Sequence, residues 1–557
     1  MPAENHKNTE QTVSALSPAT QPSWRFGELT AAELIPQLQS YLIAKDTEAN
    51  WQLVWLNNDD RPVIGLLPKV SWSVHYDATN NKPTDDPSGA YKVIKNCRGS
   101  CLDDSPTSTT TYMSYAKWQD ELIAYSQACE NANKDSKPAS DVNEKPSYHH
   151  GLIGFIGYDI AAHELSPAAN IELAAQPCAV LGHYDIYLTP SDKENGWRLN
   201  TLGLNTDSEA IDAILSTLIS YLDMLDHELF NRKKPSNDSA SSLAPLILNE
   251  RWHKNDYQRA FAKTQDYLQQ GDCYQINLTQ EWQGSFDNNL NDDGILPMLI
   301  DYLPALHRNT KAPFAGYLAA NHFNQNIKDH TSLHPFELLS CSPELFFTFT
   351  KDTNTGKHHI RTKPIKGTMP RGLNTAQDNA YKQQLIDSEK DRAENVMIVD
   401  LLRNDLGKYA KTGSVKVPQL FAIETFSNVH HMVSTITAEL KPDTHPLAVL
   451  FGSLPAGSIT GTPKKRAVEI ISELETAPRG AYCGTMGYMN FDGSGQWNVL
   501  IRTLQANESL IGAREVSLWA GGGITVASDC DAEYQECLDK VGNLLSVLSQ
   551  EHLYKHT

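Results

Sequence analysis

The chain has 557 residues, enough for two or more domains and for a core that needs no disulfide support. Its hydrophobic share, 40%, is that of an ordinary globular protein, and no run approaches the ~20 apolar residues of a membrane-crossing helix. A net charge of −20 excludes a general nucleic-acid binder, which would want a basic face, and means that any anionic substrate needs a local basic pocket.

Residues 1–23 are polar, rich in Ser, Thr, Gln and Pro, and read as a disordered tail without the apolar core of a secretory signal. The nine cysteines form no repeating pair and no zinc spacing, so free thiols in the cytoplasm are expected. Residues 24–231 read as one N-terminal region. It holds a helix over 31–44 despite Pro36, strands over 51–56 and 63–67, and a helix over 114–128. Stretches 77–88 and 130–147 read as surface-loop insertions, 151–159 as an apolar glycine-bearing strand, and 209–231 as a long amphipathic helix. Residues 232–245 are the clearest linker. The region 246–557 opens with a helix over 255–270 and strands over 271–279, 314–318 and 336–347; residues 376–406 are helical in pattern. Several neighbouring strands lack intervening helices, which favours an α+β fold with largely antiparallel sheets over a doubly wound one.

Four constellations could carry chemistry. The first is Arg361-Thr-Lys-Pro-Ile-Lys-Gly-Thr-Met-Pro-Arg371, where alternation places Thr362, Pro364 and Lys366 on one strand face and Arg361, Lys363 and Ile365 on the other. Lys366 is either a solvated turn residue or, if buried, a lysine whose pKa falls and whose neutral amine is a nucleophile. The second is a pair of acidic helices. Asp391 and Glu394 are three residues apart, as are Glu533 and Glu536, so each pair shares a helix face. They serve either as acidic first-turn residues or as a carboxylate cage for a hard cation such as magnesium.

The third is Gly457-Ser458-Ile-Thr-Gly-Thr-Pro-Lys464, which fails the Walker spacing. Thr462 fits an N-cap and Pro463 a first helical position, so the loop offers ordinary capping or an anion site. The fourth is Arg479 to Tyr488, with Tyr482 in it, followed by Ile501-Arg502-Thr503; Arg502 follows apolar Val499, Leu500 and Ile501 and suits a bidentate carboxylate clamp. The glycine run after Trp519 misses the dinucleotide pattern. His430 and His431 point to opposite faces of a strand, which suits one orienting or substrate-contacting histidine better than a metal.

Taken in order, Ser342-Pro-Glu344, the Lys366 stretch, the helix over 391–405, His431-Met-Val-Ser434, the loop over 457–463 and the tail from Tyr482 to Glu536 resemble the chorismate-utilising enzymes. The likeness covers 250–547 strongly and 24–190 more weakly. It implies large antiparallel sheets packed as a sandwich with helices outside, and a magnesium-dependent chorismate site. On that pattern Glu394 and Glu536 bind the ion, with Glu533 and Asp391 close by. Ser458, His431, Tyr482, Arg502, Lys540 and the backbone of Gly521, Gly522 and Gly523 hold the substrate, and Glu344 and Lys366 are catalytic. Anthranilate-forming members typically carry alanine at the position of Lys366. Lysine in Pro-Ile-Lys-Gly-Thr is similar to the branch that aminates chorismate to 4-amino-4-deoxychorismate, on the way to para-aminobenzoate and folate. The alternatives are an anthranilate synthase component or a non-catalytic chorismate-binding subunit. No cysteine sits in a glutaminase-like elbow, so the resemblance implies ammonia delivered by a separate glutamine amidotransferase subunit. Some relatives bind tryptophan through a Leu-Glu/Asp-Ser stretch; the comparable strand here reads Trp55-Leu-Asn-Asn.

Overall fold

The computed structural model describes residues 22–45, 53–77, 89–98, 107–132, 145–191, 196–201, 209–231, 243–286, 297–320, 336–425, 429–508 and 514–550. Nearly all of the expected tail, most of the expected linker and most of the two expected loops lie outside these residues.

Strands that follow one another with few helices between them pair antiparallel, and they build two sheets, each of twelve strands among the described residues. In the first sheet the strand Gln275–Phe286 runs against Arg514–Ile524, from Ile276 opposite Ile524 to Phe286 opposite Arg514. In the second, Leu345–Lys351, His358–Lys363 and Val429–Glu439 lie side by side. The N-terminal strands continue both sheets. Val54–Leu56 pairs with Gly316–Ala320 in the first, and Gly151–Ile156 with Thr485–Asn490 in the second.

The sheets face one another across Val54, Leu318, Phe336 and Leu338 on one side and Ile153, Phe155, Met486 and Tyr488 on the other. Each such side chain, fully buried, contributes about 1.5–3 kcal/mol. Helices close the outer faces. Ala31–Lys45, Lys254–Gln270, Leu299–Thr310 and Cys530–Leu548 pack into the first sheet's core, and Tyr115–Ala132, Glu389–Gly407 and Pro446–Ser453 into the second's. The expected α+β sandwich with helices outside is the observed architecture. Near the Trp55 strand the sheets pack closely. Leu56, Asn58, Phe314 and Met486 enclose only about 20 Å³, too little for an amino-acid ligand as the side chains stand.

Three local expectations are corrected. The strand expected over 151–159 ends at Ile156, and Tyr158–Leu165 is a helix. The helical stretch over 376–406 breaks at Ser388 into Thr375–Asp387 and Glu389–Gly407, because the Ser388 hydroxyl accepts from the Asp391 N–H and caps the second helix. Thr462 is not an N-cap. It lies in a short strand, Gly461–Thr462, paired with Gln275 and Ile276, so the helix Lys464–Leu474 starts later with Pro463 as its cap.

Candidate active site

One large cavity, about 890 Å³, opens where the two sheets and the two acidic helices meet. Its walls come from the strands Ile365–Pro370, Val429–Glu439, Gln275–Phe286 and Arg514–Ile524, and from the helices Glu389–Gly407 and Cys530–Leu548. Glu344, Lys366, Asp391, Glu394, His431, Ser458, Tyr482, Arg502, Gly521, Gly522, Gly523, Glu533, Glu536 and Lys540 all line it. The residues singled out from sequence are thus brought into one chamber.

The Lys366 strand departs from plain alternation. Its pairing with Val429–Glu439 shifts register between Ile365 and Thr368, and Gly367 there takes φ 79°, a conformation that favours glycine. The bulge brings Ile365, Lys366, Gly367 and Thr368 all to the cavity wall, although Ile365 and Lys366 were assigned to opposite faces. The Lys366 Nζ lies 3.0 Å from Glu394 Oε2. Burial alone would lower its pKa, as expected from the sequence, but Glu394, with Glu536 and Glu533 beyond it, outweighs burial and raises it. The lowered pKa is therefore corrected: facing these carboxylates, Lys366 is an ammonium.

Glu344 is placed differently. The hydroxyl of Ser342 donates to the Val499 carbonyl at 2.6 Å and accepts from the Glu344 N–H, which holds the turn where the chain crosses from one sheet to the other. The Glu344 carboxyl is buried, and that burial pushes its pKa up to about 7 against the pull of Lys366, Lys540 and Arg502. It can therefore hold a proton near neutrality. Arg502, with φ 51°, carries a guanidinium that forms no ion pair among the described residues. A half-buried arginine on a cavity wall with no ion pair can receive a carboxylate.

His431 Nδ1 lies 2.8 Å from the Thr368 hydroxyl; burial, and then Arg502, lower its pKa to about 4, so the ring is neutral. Its neighbour His430 points away, with Nε2 2.8 Å from Asp378 Oδ1, as the alternation of a strand requires. The ring of Tyr482 stacks on Trp519 with centroids 6.0 Å apart. Behind it the buried Arg479 donates to both oxygens of Glu475 at 2.7 Å and to the carbonyls of Asn277 and Ile459. One guanidinium thereby ties the Asn277 and Ile459 segments of the cavity wall to Glu475. Of the glycine-rich loop, Ser458 and Ile459 reach the cavity; the start of the helix does not, because Lys464 there donates to Asp405 at 2.7 Å. That helix start is thus not part of the chamber.

The four carboxylates Asp391, Glu394, Glu533 and Glu536 share the cavity, and ammonium groups stand among them. Lys540 lies 2.7 Å from Glu536, and Lys390 lies 3.1 Å from Glu533 and 4.0 Å from Glu394. Among the described residues no three acidic, histidine or cysteine side chains converge as a ligand set. The donor set still fits a hard divalent cation: its atoms are carboxylate oxygens, and Glu394 Oε1 is buried with no hydrogen-bond partner. At Gly522 a side chain would meet Glu533 Oε2 at 3.0 Å, so the glycine keeps that corner open. Lys390 escaped the sequence reading. Its spacing of four from Glu394 on one helix was the signal that could have found it. Asn277, Thr368 and Trp519 also line the cavity without having been assigned a role there.

The architecture aligns with anthranilate synthase component I from Streptococcus pneumoniae at a TM-score of 0.60 and 21% identity, over 87% of this chain and 91% of that one. The class of protein is therefore an anthranilate synthase component I-like α+β sandwich with a large cavity lined by residues of both sheets. The model of the chorismate binding enzyme family matches residues 98–546, and the chain belongs to that family. Among its relatives, aminodeoxychorismate synthase component 1 of Salmonella typhimurium is 37% identical over 72% of this chain and 76% of its own length. The protein of the same description from Escherichia coli is 35% identical over 73% of this chain and 79% of its own. An anthranilate synthase component 1 from Acetivibrio thermocellus is 29% identical over 73% of this chain and 76% of its own.

Proposed function

We propose that the chain aminates chorismate to 4-amino-4-deoxychorismate, the precursor of para-aminobenzoate, with ammonia from a separate glutamine amidotransferase subunit. The observation that carries this reading is Lys366 on the cavity wall, in the same chamber as a protonatable Glu344 and an unpaired Arg502. Relatives described as aminodeoxychorismate synthase component 1 support it, and the word component suits a protein that works with a partner.

In this reading Arg502 pairs with a substrate carboxylate, and Tyr482, Ser458 and the backbone of Gly521, Gly522 and Gly523 shape the walls around the ring. Lys366, as the free amine, forms a bond from Nζ to a ring carbon by allylic displacement, and the ring hydroxyl leaves as water with the proton of Glu344. Ammonia then forms a bond to the ring carbon that carried the hydroxyl. The bond to Nζ breaks with its electron pair returning to the lysine, and the surplus ammonium proton passes to the Glu344 carboxylate. The enolpyruvyl side chain is kept throughout. A magnesium ion held by Glu394 and Glu536, with Glu533 and Asp391 close by, would supply a counter-charge for the ring carboxylate. The cysteines described are all free thiols, in keeping with a cytoplasmic protein.

The test is product identity. The purified chain with chorismate, magnesium and ammonium salt at mildly alkaline pH should yield an amine that retains the enolpyruvyl group. Wild type should show a trapped substrate–protein mass that Lys366→Ala lacks. Anthranilate with released pyruvate, or an adduct that survives in Lys366→Ala, would overturn the reading.

A further inference from the structure

The acidic helices carry a cation of their own. Lys390 sits in the first turn of Glu389–Gly407, and its Nζ reaches Glu533 Oε1 at 3.1 Å and Glu394 Oε1 at 4.0 Å. Those two carboxylates come from different helices, and their side chains are 3% and 10% exposed, so water cannot stabilise their charge. Each needs a cation close by. The three lysines that supply one are not equivalent. Lys366 is held on a strand with its side chain 20% exposed, and Lys540 is tied to the Gly521 carbonyl at 2.7 Å. The Lys390 side chain is 53% exposed and can swing into solvent at little cost. Glu394 Oε1, the oxygen facing it, accepts no hydrogen bond.

We propose that Lys390 is a displaceable internal counter-ion, whose ammonium and a bound divalent cation compete for Glu394 and Glu533. The inference rests on the reading that these carboxylates, with Glu536, hold a divalent ion. Its consequence is a chamber whose two acidic helices stay bridged when no metal is present, and whose affinity for metal is held down by an ammonium group. A residue that merely braced the site would act the other way, since its removal would loosen the carboxylates and weaken metal binding.

The test uses manganese(II) as the probe, titrated into the full-length protein without chorismate and followed by the paramagnetic resonance of free ion at low ionic strength. Lys390→Met should bind manganese about two- to fivefold more tightly than wild type, the size expected for removing one half-exposed competing ion pair. Lys390→Arg, which keeps the charge, should not tighten it. In the presence of a chelator Lys390→Met should unfold at a lower temperature than wild type, and saturating manganese should close that gap. Should Lys390→Met fail to fold, Lys390→Gln takes its place. Unchanged or weaker manganese binding in the neutral variant overturns the inference. Glu394→Gln separates the two layers of the argument. If it binds manganese like wild type, the metal reading itself is at fault; if it loses binding while Lys390→Met does not gain it, the counter-ion alone is refuted.

Discussion

Replacing Glu344 by Gln offers a test of the proposed proton donor that does not depend on turnover. Burial raises the carboxyl from its ordinary 4.5 to about 7 in the folded chain. Between those values the unfolded chain has released the proton while the folded chain keeps it. The contribution of Glu344 to stability therefore falls as pH rises from about 4.5 to about 7 and is level above that. Each pKa unit corresponds to about 1.4 kcal/mol, so the buried carboxylate costs about 3 kcal/mol at pH 8 and under about 1 kcal/mol at pH 5. Glutamine has the same shape and cannot ionise. The stability of Glu344→Gln relative to wild type should accordingly improve by about 2 kcal/mol between pH 5 and pH 8. The assay is urea denaturation of both proteins at both pH values, followed by tryptophan fluorescence, with the thermal midpoint as a second readout. Activity should fall about 100-fold or more, as loss of a general acid requires. A stability difference that is the same at both pH values would mean that Glu344 ionises like a surface carboxylate. The proton-donor assignment would then fail whatever the activity does.

The other predictions concern neighbouring groups. Arg502→Gln should weaken chorismate binding about 10- to 100-fold, the value of a charge-assisted carboxylate contact, with the thermal midpoint near that of wild type; calorimetric titration reads the affinity, and an unchanged one would refute the clamp. Glu475→Gln leaves the guanidinium of Arg479 buried with neutral partners only and should cost about 3–5 kcal/mol, seen as a marked drop in thermal midpoint; an unchanged midpoint would show that the pair does not hold the wall. His431 is already neutral above about pH 4. The pH–rate profile of a partly active His431→Gln should therefore keep the wild-type midpoints between pH 6 and 8, and loss of a limb would show that the ring titrates there.

Much of the site was legible because its residues lie in short, locally ordered motifs. The pairs Asp391 with Glu394 and Glu533 with Glu536 follow from helical spacing, and the split of His430 from His431 follows from strand alternation. The misses share one cause, which is partners distant in sequence. The charge on Lys366 is set by Glu394, Glu533 and Glu536, the last 170 residues away in the chain, and no local reading of Pro-Ile-Lys-Gly-Thr weighs them against burial. Thr462 reads as a cap until Gln275 takes it into a sheet. Alternation through Ile365 and Lys366 fails at a bulge that only the pairing with Val429–Glu439 reveals. Lys390 could have been found by spacing from Glu394, but its contact with Glu533 could not.

Charge balance explains why these groups share one chamber. The ionisable walls comprise Glu344, Asp391, Glu394, Glu533, Glu536 and Asp539 against Lys366, Lys390, Arg502 and Lys540. With Glu344 protonated the sum is about −1, in a protein of net charge −20. A dianion such as chorismate would take it to about −3, and like charges gathered in one chamber oppose that. A divalent cation entering with the dianion would leave the balance unchanged, and in the proposed reading Arg502 would face the pair on one side and the acidic helices would face it on the other. If Lys366 is the nucleophile proposed above, a cation drawn to the three carboxylates that face it would remove the reason for its proton to stay.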